Sequence, residues 1–185
     1  MIALTKGRTA LNCRDNVGGI KNVYLAKFEL YNNLEIVRDK QTVTSFPNTN
    51  IYDFWTNNAV FTEQSSEDGY KYDQSLNFTL LKSDLITSQQ LYNIKDLYFR
   101  CILEFNDGSL RILGLYNGLN LTYSDNSGGS KSEGTKYNIT LTGNEEISAP
   151  YLNDLSDFNL TDIEYLLLDD GQILELDNGR FLILD

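Results

Sequence analysis

Short runs of alternating polar and apolar residues, separated by turn dipeptides, constrain the fold of this chain more than any other feature. In the run 70–81, Tyr70 and Tyr72 alternate with Lys71 and Asp73, which is the period of a half-buried strand. Comparable runs cover 22–30, 33–39, 59–65, 97–105, 110–116, 119–124 and 136–143. Asn-Gly and Asp-Gly pairs near the ends of these runs supply the positive φ of tight turns. The sequence therefore predicts a mainly β protein.

One segment departs from this alternation and predicts a single helix. Over about 84–96, Leu85, Leu91 and Ile94 recur at helical spacing, and Ser83 precedes them as a candidate N-cap. We expect this helix to flank the sheet.

Two stretches show no strand period and are predicted to be loops. Residues 124–134 are rich in glycine and serine, and residues 45–58 carry four aromatic residues, Phe46, Tyr52, Phe54 and Trp55. Phe54 and Trp55 are candidates for contact with another chain. Two alternatives stay open: the aromatic side chains fold back onto the core, or they form a stacking platform for a carbohydrate.

The chain contains no histidine, which removes the commonest general base and the commonest metal ligand. The 26 acidic residues contain no spacing that singles out a catalytic pair, and no phosphate-binding glycine loop is present. We therefore expect no enzymatic activity, no cofactor and no metal site. A carboxylate-pair enzyme, with an acidic pocket at strand ends, is the weaker alternative.

Charge is distributed unevenly along the sequence. The net charge is −11, and residues 141–185 alone account for −10 because Arg180 is their only basic residue. Clustered Lys and Arg, which tight nucleic-acid binding requires, are missing. The asymmetry fits oriented contact between neighbouring copies, or equally a solvated acidic tail.

The C-terminal residues nearly repeat an eight-residue unit and predict a three-stranded β-meander. Its strands are 164–169, 172–177 and 180–185, joined by Asp-Gly and Asn-Gly turns that fix the register. Both faces of the meander are mostly apolar, and Glu175 is the exception on one of them. One face therefore needs a partner outside the body. The residues predicted to contact a neighbouring copy on the other face are Tyr165, Leu167, Leu174, Leu176, Phe181 and Ile183. Packing within one chain stays open as an alternative.

These patterns divide the chain into a β-sandwich body with one helix, residues 1–150, and a C-terminal meander extension, residues 151–185. No window is apolar and long enough to predict a membrane span, and the N-terminus lacks the apolar core of a secretory signal. We therefore expect a protein made in the cytoplasm of its host cell.

Three segments follow one another along the chain: "TKGRTALNCRDNVGGIKNVYLAKF", then "FNDGSLRILGLYNGL", then "YNITLTGNEEISAPYL". In this order they resemble segments of structural proteins from tailed phages of Bacteroidetes, including the crAss-like group. It implies a tail-tube-like β-sandwich or small barrel, flanked by one helix, whose copies join edge to edge. The resulting ring would surround the channel through which DNA passes without specific binding. It also implies a place in the virion tail or neck, beside other tail or connector proteins. A carbohydrate- or ligand-binding accessory module of the tail or baseplate is the alternative.

Overall fold

The computed structural model describes residues 18–31, 37–39, 41–54, 58–66, 70–81, 83–95, 97–128 and 134–160. Within these ranges the chain is mainly β, with one helix. The strands are β1 Ile20–Lys27, β2 Val37–Asp39, β3 Thr42–Ser45, β4 Thr49–Asp53, β5 Val60–Ser65, β6 Tyr72–Leu81, β7 Tyr98–Phe105, β8 Leu110–Leu113, β9 Leu119–Asn126, β10 Lys136–Glu145, β11 Tyr151–Leu152 and β12 Phe158–Leu160. The helix, α1, is Leu85–Ile94. No helix in the described ranges has the length and apolarity to cross a membrane.

The strands form one open, branched sheet. Its main path runs β2-β3-β11-β8-β7-β9-β10-β6-β5. Strand β7 is the branch point, because β1 pairs along it as well, β4 pairs with β1, and β12 pairs with β4. Neighbours are antiparallel except in the pairs β3–β11 and β4–β12. The mainly β prediction is confirmed at this level.

Strands β1 and β7 form a wall with a hydrophobic core on each side. Alternation sends Val23 and Leu25 into one core, while Tyr24 and Ala26 enter the other. The first core lies beneath β6, β9, β10 and α1, and the second lies among β3, β4, β8, β11 and β12. A strand buried on both faces reads as a nearly continuous apolar run, which explains the "VYLA" and "FRCILEF" segments.

The predicted helix is confirmed, but its N-cap was predicted wrongly. Asp84, and not Ser83, is the N-cap, since its carboxylate accepts the Thr87 N–H at 2.8 Å. Leu91 is buried at 1% exposure, whereas Leu85 is 73% exposed and contributes nothing to the core.

Most of the predicted strands are present. The hairpin of β7 and β8 turns at Asp107-Gly108, where Gly108 has φ of 81° and Phe105 donates its N–H to the Ser109 carbonyl. The prediction of loops was wrong in part, because 45–58 contains β4 and 124–134 contains the end of β9. In β4, Thr49 and Ile51 are buried in alternation, a signal too short to be recognised among the surrounding aromatic residues.

Two short strands within the first ten residues after the predicted domain boundary at 150 pair with strands of the body. Strand β11 pairs with β8 and β3, and β12 pairs with β4, so the body continues to Leu160. The predicted meander, 164–185, lies outside the described residues.

Candidate interaction surface

Strand β5 ends the main path of the sheet, and its outer edge has no partner among the described residues. Ser66 donates its N–H to the Lys71 carbonyl at 2.8 Å, which makes this a hydrogen-bonded antiparallel pair. Since such pairs alternate with non-hydrogen-bonded pairs, the backbone groups of Phe61, Glu63 and Ser65 point away from β6. These three residues carry the free N–H and C=O groups of the edge.

Edge strands are commonly protected from pairing by lysine, proline, a bulge or extreme shortness. The sequence of β5, "VFTEQS", has neither lysine nor proline, and its pairing with β6 shows no register shift. Its one charged side chain, Glu63, turns back into the protein, where its carboxylate accepts from Gln74, Ser148 Oγ and the Ala149 N–H. Strand β2, at the opposite end of the path, is three residues long and has a register shift. Among the described residues, nothing therefore protects the edge of β5 from strand addition.

The central part of the outward face of β5, β6, β10 and β9 is an array of uncharged polar side chains, bordered on the same face by a row that contains Asp73 and a row that contains Lys136. It consists of three cross-strand rows in register, and ten of its eleven strand positions are Ser, Thr or Asn, with Val60 as the exception. The rows are Thr62–Ser75–Thr142–Asn120, Val60–Asn77–Thr140–Thr122 and Thr79–Asn138–Ser124. Neighbouring positions are about 4.8 Å apart across strands and roughly 6.7 Å apart along them. We call these eleven residues the polar face.

Side chains of the polar face hydrogen-bond to one another across the strands. Thr140 Oγ1 donates to Asn77 Oδ1 at 2.7 Å, and Thr79 Oγ1 donates to Asn138 Oδ1 at 3.4 Å. Asn77, Asn120 and Asn138 each begin an N-x-T sequence, and a spacing of two puts the Asn and the Thr on the same side of a strand. The alternation of side chains along these strands therefore explains the N-x-T sequences.

The loop 114–118 connects β8 to β9. Three buried polar residues hold this loop against the other side of the sheet. Gln74 Oε1 accepts the Gly114 N–H at 3.0 Å, and Arg100 Nε donates to the Leu115 carbonyl at 3.0 Å. The Glu145 carboxylate accepts backbone N–H groups at the end of the loop, 2.8 Å from the nitrogen of Asn117. Strands β6, β7 and β10 each supply one of these residues, so the loop fixes their relative positions.

Burial changes the pKa values of Arg100 and Glu145, the two charged residues that hold this loop. The Arg100 guanidinium lies 4.4 Å from the centroid of the Phe28 ring and 4.8 Å from that of Tyr31, and its Nη1 has no hydrogen-bond partner. Loss of water lowers the pKa of Arg100 and raises the pKa of Glu145, and backbone donors to Glu145 oppose the rise. The sequence signal for Arg100 was a charged residue inside an apolar strand. Nothing comparable marked Gln74 or Glu145.

The predicted contact residues are distributed between the described and undescribed parts of the chain. Phe54 packs against the first core, with its ring centroid 6.3 Å from that of Phe78, and donates its N–H to the Val23 carbonyl. Tyr52 is 36% exposed. With Phe54 engaged in the core, the platform proposed for a carbohydrate loses one of its rings. Trp55 and the six meander residues lie outside the described ranges.

Within the described ranges, no three Cys, Asp or Glu side chains come together in a way that would hold a metal ion. Comparisons with protein-family models, with curated proteins and with solved structures found no match.

Proposed function

We propose that this protein is a structural subunit of a phage virion, a tail-tube-like or neck-ring protein whose copies join through their sheet edges around a DNA channel. The observation that carries the proposal is the open edge of β5 beside the polar face. Edge-to-edge joining extends a sheet without covering either face. Copies joined in this way would continue the polar face from one subunit to the next.

The chemistry of the polar face supports its use as a channel wall. Its three rows have neither the Lys and Arg that would hold phosphates nor the Asp and Glu that would repel them. The two bordering rows of the same face add one charge of each sign, Asp73 and Lys136. Four strands give each copy a wall segment roughly 15–19 Å wide. A curved, closed arrangement of such segments would form the ring of copies that the sequence resemblance implies.

The hydrogen-bonded loop 114–118 supports the same role. An inter-subunit contact transmits load only if the strands behind it keep their positions, and Gln74, Arg100 and Glu145 tie three of those strands to one loop. The polar groups of this network serve assembly in this proposal, and no reaction is assigned to them.

The proposal is tested by measuring the mass of the purified full-length protein by light scattering, followed by electron microscopy. We expect a closed oligomer of several copies that appears as rings, and we expect the protein in purified phage particles. A protein that stays monomeric at every concentration and does not copurify with virions would contradict the proposal.

A further inference from the structure

Arg111 lies beside the ring of Phe61, on the side of β5 that has no described partner strand. Its guanidinium carbon is 5.6 Å from the ring centroid of Phe61 and 4.8 Å from that of Tyr151. Leu76, the partner of Phe61 on β6, is fully buried. Arg111 is partly exposed, and Tyr151 is 45% exposed. The guanidinium is therefore on the solvent side of Phe61, away from β6.

This guanidinium has no anionic partner among the described residues. Its Nε is buried without a hydrogen-bond partner, and Arg111 forms no ion pair in the described ranges. The Glu63 carboxylate lies on the same side of β5, but donors from Gln74 and from residues 148–149 already occupy it. A buried N–H without a partner costs free energy, so the site favours a ligand that accepts hydrogen bonds.

A carboxylate is the ligand that suits this site best. An arginine presents a planar fork of N–H donors, which binds a carboxylate through strong, charge-assisted hydrogen bonds. The net charge of −11 disfavours nucleic-acid phosphates as the ligand. A second copy of the chain carries 26 acidic against 15 basic residues, so it offers carboxylates in excess.

The backbone beside Arg111 selects the form in which the carboxylate arrives. Phe61, Glu63 and Ser65 present free N–H and C=O groups, which bind an extended strand through its main chain. The residue opposite Phe61 in such a strand has its Cα about 5.5 Å away and its side chain on the same side of the sheet. An Asp or Glu at that position reaches the guanidinium. The β5 strand of another copy does not fill this role, since its one carboxylate, on Glu63, is already hydrogen-bonded.

We propose that the free edge of β5 takes up an extended strand of a neighbouring copy, and that an Asp or Glu of this strand, opposite Phe61, binds Arg111. The inference rests on the proposed function for the presence of neighbouring copies, and it adds the ion pair that sets the register of the contact. Because the strand that is received differs from β5, the contact joins two different surfaces. A contact of this kind, repeated around an axis, closes a ring.

Chemical cross-linking tests the ion pair directly. Arg111→Lys keeps the positive charge and places an amine at the site, and a carbodiimide joins an amine to a carboxylate only where the two groups touch. Isotope-labelled and unlabelled copies of the full-length variant are mixed before assembly, cross-linked and analysed by peptide mass spectrometry. We expect the introduced lysine to be joined to an Asp or Glu in pairs that combine a labelled and an unlabelled peptide. Cross-links confined to one copy, or no cross-link of that lysine in assembled rings, would overturn the inference.

Removing the cation tests its contribution to assembly. Arg111→Met keeps an apolar side chain between the two rings, and we expect self-association, measured by sedimentation, to be at least about tenfold weaker than in wild type. Lys27→Met removes an exposed cation from β1 and is the matched control, which should associate as wild type does.

Equal association of Arg111→Met and wild type would refute the ion pair while leaving the proposed function intact. A wild-type protein that stays monomeric contradicts the proposed function, and the inference falls with it. Where Arg111→Met does not fold, the cross-linking result decides.

Discussion

Ser66 donates its N–H to the carbonyl oxygen of Lys71 at 2.8 Å, and this bond determines which backbone atoms of β5 remain free. Thr79 gives independent agreement, because its N–H points toward the β5 side and donates to Asn58 Oδ1 at 3.1 Å. Because hydrogen-bonded and non-hydrogen-bonded pairs alternate along β5, the backbone N–H and C=O groups of Phe61, Glu63 and Ser65 then point away from β6. An ordinary hairpin bond thus identifies the part of the molecule best suited to meet another chain.

Leu91 should carry most of the contribution of α1 to stability. Leu91→Ala removes a side chain that is 1% exposed in the first core, and we expect the free energy of unfolding to fall by about 3 kcal/mol. Leu85→Ala, on the exposed side of the same helix, should change it by less than about 0.5 kcal/mol. Urea denaturation measures both, and equal losses would show that the two residues do not differ in burial.

Glu145 should be essential to the loop 114–118. Glu145→Ala leaves the N–H groups of Tyr116, Asn117 and Gly118 without their buried acceptor, so we expect a loss of about 3 kcal/mol. The exposed neighbour Glu146 provides the control, and Glu146→Ala should be nearly neutral. Thermal unfolding of the two variants would contradict this account if their midpoints agreed.

Glu104 should make stability dependent on pH in the acid range. Its carboxylate contacts Lys21 Nζ at 2.6 Å and accepts from Asn22 and Tyr24, and the bond from Lys21 lowers the pKa of Glu104. A lowered folded-state pKa means stabilisation that is present at neutral pH and lost as pH falls through that pKa. Glu104→Gln should lower the free energy of unfolding by about 1 kcal/mol at pH 7. The difference from wild type should shrink below about pH 4.

Denaturation curves at several pH values measure this difference. The exposed Glu146→Gln is the control, for which we expect a smaller effect at pH 7. If the free energy of unfolding of Glu104→Gln differs from that of wild type by the same amount from neutral to acid pH, the charge of the Glu104 carboxylate does not contribute to stability.

The polar face should become a DNA-binding surface when it is made basic. Thr62, Thr122 and Thr142 are exposed on three of its strands, and replacing all three with Lys would place a repeated positive charge along the proposed wall. We expect assembled rings of this variant to retain duplex DNA at low salt and to release it at high salt. A variant with Lys at the exposed positions Gln89, Asn50 and Asn153 is the control. Equal retention of DNA by both variants would show that the polar face does not line the channel.

The sequence predicts the elements of this fold better than their arrangement. Alternation and turn residues predict β6, β10 and the β7–β8 hairpin, because local spacing and positive φ are encoded locally. The branch at β7 could not be predicted, since it depends on β1 and β9 pairing with the same strand from distant parts of the sequence. Likewise, Leu85 and Leu91 share one helical pattern, and only the tertiary packing shows which of them is buried.

The interaction surface illustrates the same limit. The N-x-T pattern predicts that the Asn and the Thr of each strand share one face, but the alignment of three such strands into rows depends on register. The free edge of β5 is a property of the sheet order, which the sequence of β5 does not contain.

The most direct test of the edge is the mass of the full-length protein in solution when the N–H of Ser65 is removed. Ser65→Pro deletes a donor that faces away from β6, so β5 should stay paired within its own chain. Ser65→Ala keeps the N–H and is the matched control. We predict that wild type and Ser65→Ala form the same closed oligomer and that Ser65→Pro is folded but monomeric. A Ser65→Pro protein that assembles as wild type does would contradict the claim that copies join through this edge.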